Sequence, residues 1–77
     1  MIFIKLTNVG SGSKKLYINP MFITGLLKYY DEYTIINAIG GPSSGYNVIE
    51  TVEEIIQLIE DSGYKSVMDQ LGLGGIH

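Results

Sequence analysis

Cysteine, arginine and tryptophan are absent from this sequence of 77 residues, and the one histidine is the last residue, His77. Without cysteine there can be neither a disulfide nor a thiolate metal site. With a lone histidine no Ser/His/acid set can be assembled, and His77 with Asp69 supplies too few groups for a defined metal centre. No enzyme activity, cofactor or metal is therefore expected. Five lysines stand against eight acidic residues, for a net charge of −3. A phosphate-neutralising face needs positive charge, preferably arginine, so duplex nucleic acid is not an expected partner. No stretch reaches the roughly 18–20 apolar residues of a membrane span, so no membrane insertion is expected. The opening Met1-Ile2-Phe3-Ile4-Lys5 lacks the basic region and cleavage site of a secretory signal, and a cytoplasmic protein is the expectation.

What is abundant points elsewhere. Hydrophobic residues make up 45% of the chain, with six tyrosines and ten glycines. A chain this short has room for one domain with a small core. With disulfides and metal excluded, burial against a copy of itself is the remaining way to cover surplus apolar surface, so a homo-oligomer is expected.

Hydrophobic periodicity gives an α+β domain: a small antiparallel β-meander of about five strands, a sheet or partly closed barrel, followed by one amphipathic helix and a short tail. Ile2, Ile4 and Leu6 alternate with Phe3, Lys5 and Thr7, the period of a half-buried strand. Asn8 to Ser13 is a loop by composition. Lys15 to Asn19 forms a second strand that Pro20 ends, since proline donates nothing to a ladder. From Phe22 to Tyr30 apolar residues are too dense for clean alternation. On period alone the run could be helix or strand. The hairpin that Asp31-Glu32 makes with the next run favours a third strand, with a helical turn at Pro20–Ile23 before it as the second reading. Asp31-Glu32 turns the chain into a β-branched fourth strand over 33–39. Gly40 to Gly45 is a loop, and Tyr46 to Glu50 a fifth strand.

The helix carries the strongest local signal. Thr51-Val52-Glu53-Glu54 is a capping box, and Val52, Ile55, Ile56 and Ile59 follow at i, i+3, i+4 and i+7 as one apolar stripe. Gly63 is a natural stop. The acids Glu50, Glu53, Glu54, Glu60 and Asp61 read as a complement to the helix dipole and a solvated face, and carry no catalytic signal of their own. Residues 1–63 thus make the meander and helix. Residues 64–77 form an extension, with a weaker helical pattern over 64–71 and a glycine-rich end that either stays free or docks as an arm.

Two glycine loops, Gly10-Ser11-Gly12 and Gly40 to Gly45, could present amides to a phosphate, although neither has the Gly-Lys-Ser/Thr of a P-loop. The tyrosines could stack on a base or fill interface pockets, against the plainer reading of cross-strand packing. A ligand site assembled between subunits would draw on Tyr46, on Gly40, Gly41, Ser43 and Ser44 of the loop, and on Lys28.

The order of pieces also carries a resemblance. Phe3-Ile4-Lys5-Leu6-Thr7, the Leu16-Tyr17-Ile18-Asn19-Pro20 turn, Thr34-Ile35-Ile36, and the Tyr46 to Ile56 strand-to-helix junction together resemble the FlbD/SwrD family of small flagellar and swarming-motility proteins. Similar short chains occur in bacteriophage genomes. The chain departs from the family in its longer loops at 8–13 and 40–45 and in its extension past residue 63. The resemblance implies a non-enzymatic accessory protein that acts through contacts with other proteins. Two function classes follow: a homo-oligomeric interaction module, or a phage-borne sponge that traps a small nucleotide-type immune signal in pockets between subunits.

Overall fold

Alternation places Ile4 and Leu6 on one face of the first strand and Lys5 on the other. That face begins the core. In a computed structural model, which describes residues 2–10, 12 and 14–64, strands β1 (Ile4–Thr7) and β2 (Lys15–Ile18) form an antiparallel hairpin that pairs Ile4 with Ile18 and Leu6 with Leu16. Asn19 and Pro20 then turn the chain. The Asn19 side chain accepts from the Met21 amide at 2.9 Å, and Pro20–Phe22 form a short 3-10 turn. This corrects the first reading, a strand running on from Phe22, in favour of the second: Phe22 belongs to the turn and the next strand starts at Ile23. The fixed φ of proline suits the start of such a turn.

Strands β3 (Ile23–Tyr29), β4 (Tyr33–Ala38) and β5 (Tyr46–Val48) make a second antiparallel sheet, in the order β3-β4-β5. The expected meander is thus divided: β2 and β3 follow each other in sequence but do not pair, and the strands do not close into a barrel. A bulge between Ile23 and Gly25 shifts the β3–β4 register. Beyond it pairing is regular with Leu27 and Tyr29 on the face away from the core, so apolar residues on both faces hide the alternation in sequence. The two sheets meet where the end of β1 touches β5. Asn8 bridges Val48, the Val9 amide donates to the Asn47 carbonyl at 2.9 Å, and the Ile49 amide donates to the Thr7 carbonyl at 3.0 Å.

Helix α1 (Val52–Asp61) is capped as its sequence indicates. The Glu54 amide donates to Thr51 Oγ1 at 3.1 Å, and the Thr51 amide donates to Glu54 Oε1 at 2.9 Å. Beyond it Gly63 takes a φ of +85°, the left-handed conformation of a C-terminal stop. Among the described residues, none of the helices is long and apolar enough to cross a membrane. The pattern expected over 64–71 and the glycine-rich end lie, beyond Tyr64, outside the described residues.

Ile4, Leu6, Ile18, Ile36, Val48 and Ile55 form the buried core, with Leu16, Ile23, Leu26, Ala38, Tyr46, Leu58 and Ile59 packed around it. One expectation needs correcting. Ile56 does not belong to the buried stripe: it is 45% exposed, whereas Ile55 is 0% exposed. Each helical residue advances about 100°, so a stripe centred on Ile55 takes in Val52, Leu58 and Ile59 and leaves Ile56 at its margin. Ile55→Asp should therefore abolish cooperative unfolding, because an unpaired carboxylate would replace a fully buried side chain. Ile56→Asp should leave a folded domain with a stability change of about 1 kcal/mol or less. Circular dichroism with urea melts of both variants checks this, and an unfolded Ile56→Asp protein would contradict the assignment.

Candidate functional site

The Gly40 to Gly45 loop joins β4 to β5 and folds back on itself. The Gly41 amide donates to the Ala38 carbonyl at 3.1 Å, and the Gly45 amide donates to the Pro42 carbonyl at 3.0 Å. Gly40 and Gly45 both lie in the left-handed region, with φ of +80° and +82°. The Tyr46 ring lies against this backbone: a Cβ on Gly41 would stand 2.9 Å from Tyr46 Cε2. Tyr46, Gly40, Gly41, Ser43 and Ser44 are therefore brought together as expected. Their chemistry is partly spent, however. Two of the amides that could face a phosphate are bonded within the loop, and one side of the Tyr46 ring is covered by it. Ser43 and Ser44 are exposed at its tip.

Lys28 is not part of this group within one chain. It sits on β3 opposite Thr34, whereas Tyr46 on β5 lies opposite Ile36. Sheet spacings put their Cα atoms roughly 12 Å apart. The side chains also diverge, because Lys28 Nζ pairs with Asp31 Oδ1 at 3.1 Å at the far end of the hairpin. Lys28 could join Tyr46 and the loop only across a subunit boundary.

Lys28 instead borders a cleft of about 400 Å³ between the β3–β4 turn and the start of α1, whose lining includes Tyr30, Tyr33, Thr34, Ile49 and Val52. Asp31, Glu32 and Glu53 also line it. Three carboxylates against one lysine, itself paired with Asp31, make this a poor place for a phosphate. Among the described residues no three His, Cys, Asp or Glu side chains converge as a metal site, and every buried polar side-chain atom has a hydrogen-bond partner.

Glu50 proves to have a specific task. It precedes the helix rather than lying on it, and its carboxylate accepts the Thr7 amide at 2.9 Å while its carbonyl accepts Thr34 Oγ1 at 2.7 Å. Lys15 Nζ donates to Thr7 Oγ1 at 3.1 Å beside it. This cluster fastens the two sheets and is structural.

Three of the tyrosines read from the sequence as candidates for stacking or interface pockets, Tyr29, Tyr30 and Tyr33, gather at the β3–β4 turn, and two of them lie on the outer face of the β3-β4-β5 sheet, the side away from the core. The register pairs Leu27 with Ile35 and Tyr29 with Tyr33 there. The Tyr29 and Tyr33 rings stack at 4.8 Å and 20°, and Tyr30 meets Tyr29 edge-on at 4.7 Å and 88°. The signal was present as Tyr29-Tyr30-Asp31-Glu32-Tyr33. It needed the turn register to show that two of these rings share a face.

No family model, no curated protein and no solved structure matches the chain. What defines it is its own architecture: a small α+β domain of two antiparallel sheets and one capped helix.

The loop makes its own prediction. A Cβ at Gly45 would stand 2.6 Å from Ile35 Cγ2 in a left-handed backbone, whereas a Cβ at Gly40 would meet nothing within 4 Å. Gly40→Ala should cost about 1–2 kcal/mol from conformation alone, and Gly45→Ala about 1–3 kcal/mol more from the added clash. Urea denaturation of the two variants measures the difference, and equal losses would contradict the packing of Gly45 on Ile35.

Proposed function

We propose that this chain is a small, non-enzymatic, homo-oligomeric interaction module that works through contacts with protein surfaces, as the resemblance to the FlbD/SwrD family implies. The observation that carries the reading is the balance of apolar surface. Among the described residues six apolar side chains are buried, while eleven large ones are exposed, including Phe3, Tyr17, Phe22, Leu27, Tyr30 and Ile39. Scattered exposed apolar residues are ordinary. An excess of this size on a domain with so small a core favours burial against another protein surface, and a second copy is always at hand.

The nucleotide-trapping alternative draws less support. Its amides are partly used within the Gly40 to Gly45 loop, its tyrosine is packed against that loop, and its lysine points to the opposite end of the sheet. The cleft that Lys28 does border carries three carboxylates, Asp31, Glu32 and Glu53, against that one lysine.

Sedimentation equilibrium at micromolar concentration tests the proposal. The expected result is a mass of two or more times the 8.5 kDa of one chain. A monomer that persists over the whole concentration range would overturn it.

A further inference from the structure

We infer that this chain self-associates through unlike surfaces: Lys14 and Lys15 on the β1–β2 hairpin of one copy enter the acid-rimmed cleft between the β3–β4 turn and α1 of another. The inference rests on the homo-oligomeric reading above and adds the two surfaces that meet.

The first observation is how charge is divided along the chain. Residues 1–30 hold four lysines, Lys5, Lys14, Lys15 and Lys28, and no acid. Residues 31–77 hold all eight acids and one lysine. A net charge of −3 thus conceals a basic first part and an acidic second part. The fold neutralises little of this. Among the described residues the one ion pair is Lys28 with Asp31, at the dividing point itself. Lys5 borders Glu50 and Glu54 of its own chain. That leaves Lys14 and Lys15. Both are exposed where β2 begins, and Lys15 gives one of its three donors to Thr7 Oγ1.

The second observation is the cleft. Asp31 and Glu32 reach it from the β3–β4 turn and Glu53 from the first turn of α1. Three carboxylates against the one ammonium of Lys28 leave it with an excess of two negative charges. A concave surface lined by one sign of charge focuses the field and draws in the opposite sign. The lining also includes Tyr30 and Ile49, which are 75% and 58% exposed. A lysine stem can lie along such apolar surface while its ammonium reaches the acids.

The third observation selects the occupant. The lysines and the cleft are complementary but held apart within one chain. β1 joins β5 at the Asn8–Val48 bridge and β2 lies beyond β1, so three strand spacings, roughly 14 Å, separate β2 from β4. The cleft lies farther off, at the β3–β4 turn. A second copy brings the two surfaces together, and each subunit then offers both. Tyr17, 61% exposed and two residues after Lys15 on the same side of β2, adds apolar area to meet Tyr30 and Ile49. Apolar burial supplies the affinity, and charge decides which surfaces meet. A two-fold dimer uses the contact twice.

Sedimentation equilibrium at about 50 and 500 mM salt tests this with three double variants. The hairpin variant is Lys14→Glu with Lys15→Glu, and the turn variant is Asp31→Lys with Glu32→Lys. The control, Glu60→Lys with Asp61→Lys, shifts the net charge as the turn variant does. Wild type and control should associate alike, and wild type should weaken at least tenfold at the higher salt, where screening is stronger. The hairpin and turn variants should each associate at least tenfold more weakly than wild type. An equal mixture of the two should recover wild-type strength, which unfolded chains could not do. The hairpin variant mixed with the control should stay weaker than that mixture, because one of its contacts still sets acid against acid. Assembly of both variants at wild-type strength would overturn the contact and leave the homo-oligomeric reading intact. So would a mixture that fails to recover, or association indifferent to salt. Equal recovery in the two mixtures would show attraction by net charge alone and would overturn the cleft. A monomeric wild type would overturn both readings.

Discussion

The hydrogen bond from the Thr7 amide to the Glu50 carboxylate is the joint on which the rest of the architecture depends. The β1–β2 hairpin buries too little apolar surface to persist alone, and so must be held against the other sheet. Around the joint the Asn8–Val48 bridge, the flanking backbone bonds at Val9 and Ile49, and the Thr34 Oγ1 bond to the Glu50 carbonyl complete the fastening. A hydrogen bond to an ionised group contributes about 1.5–3 kcal/mol, roughly twice a neutral one. In a domain of this size that is a substantial share of the whole stability.

The same residue sets the helix. Glu50 is followed at once by Thr51, whose capping box starts α1 and aims Ile55 at Ile36 and Val48. Fixing Glu50 on Thr7 therefore fixes where the helix begins and which side of the sheet it covers. One consequence concerns the other side. With a single helix, one sheet face can be covered, and the face bearing Leu27, Tyr29, Tyr33 and Ile35 has no covering element among the described residues.

How much of this was legible follows from the range of each signal. The capping box acts between residues three apart, so Thr51 and Glu54 announce the helix in the sequence itself. The stripe was less secure. Ile56 and Leu58 are both apolar and flank Ile55, and spacing alone could not decide which turns inward; the direction in which the joint sets the helix does. The third strand was obscured because it carries apolar residues on both faces, Leu26 toward the core and Leu27 and Tyr29 away from it. Glu50 read as one more acid near a helix start, because its partner Thr7 is 43 residues away in sequence. Of the residues gathered into a candidate site, Tyr46 and the glycine loop are sequence neighbours and came out adjacent. Lys28 is distant in sequence, and strand register carries it away from them. The tyrosines were legible as candidate contact residues but their shared face was not, since residues on opposite sides of a turn share a face only once their pairing is known.

Taken together, the small core and the excess of exposed apolar side chains support one account, the homo-oligomeric interaction module proposed above. Amide NMR spectra recorded over a dilution series test that account most directly. It predicts that concentration-dependent shifts and broadening fall on contiguous exposed apolar residues. Spectra that do not change with concentration would contradict it.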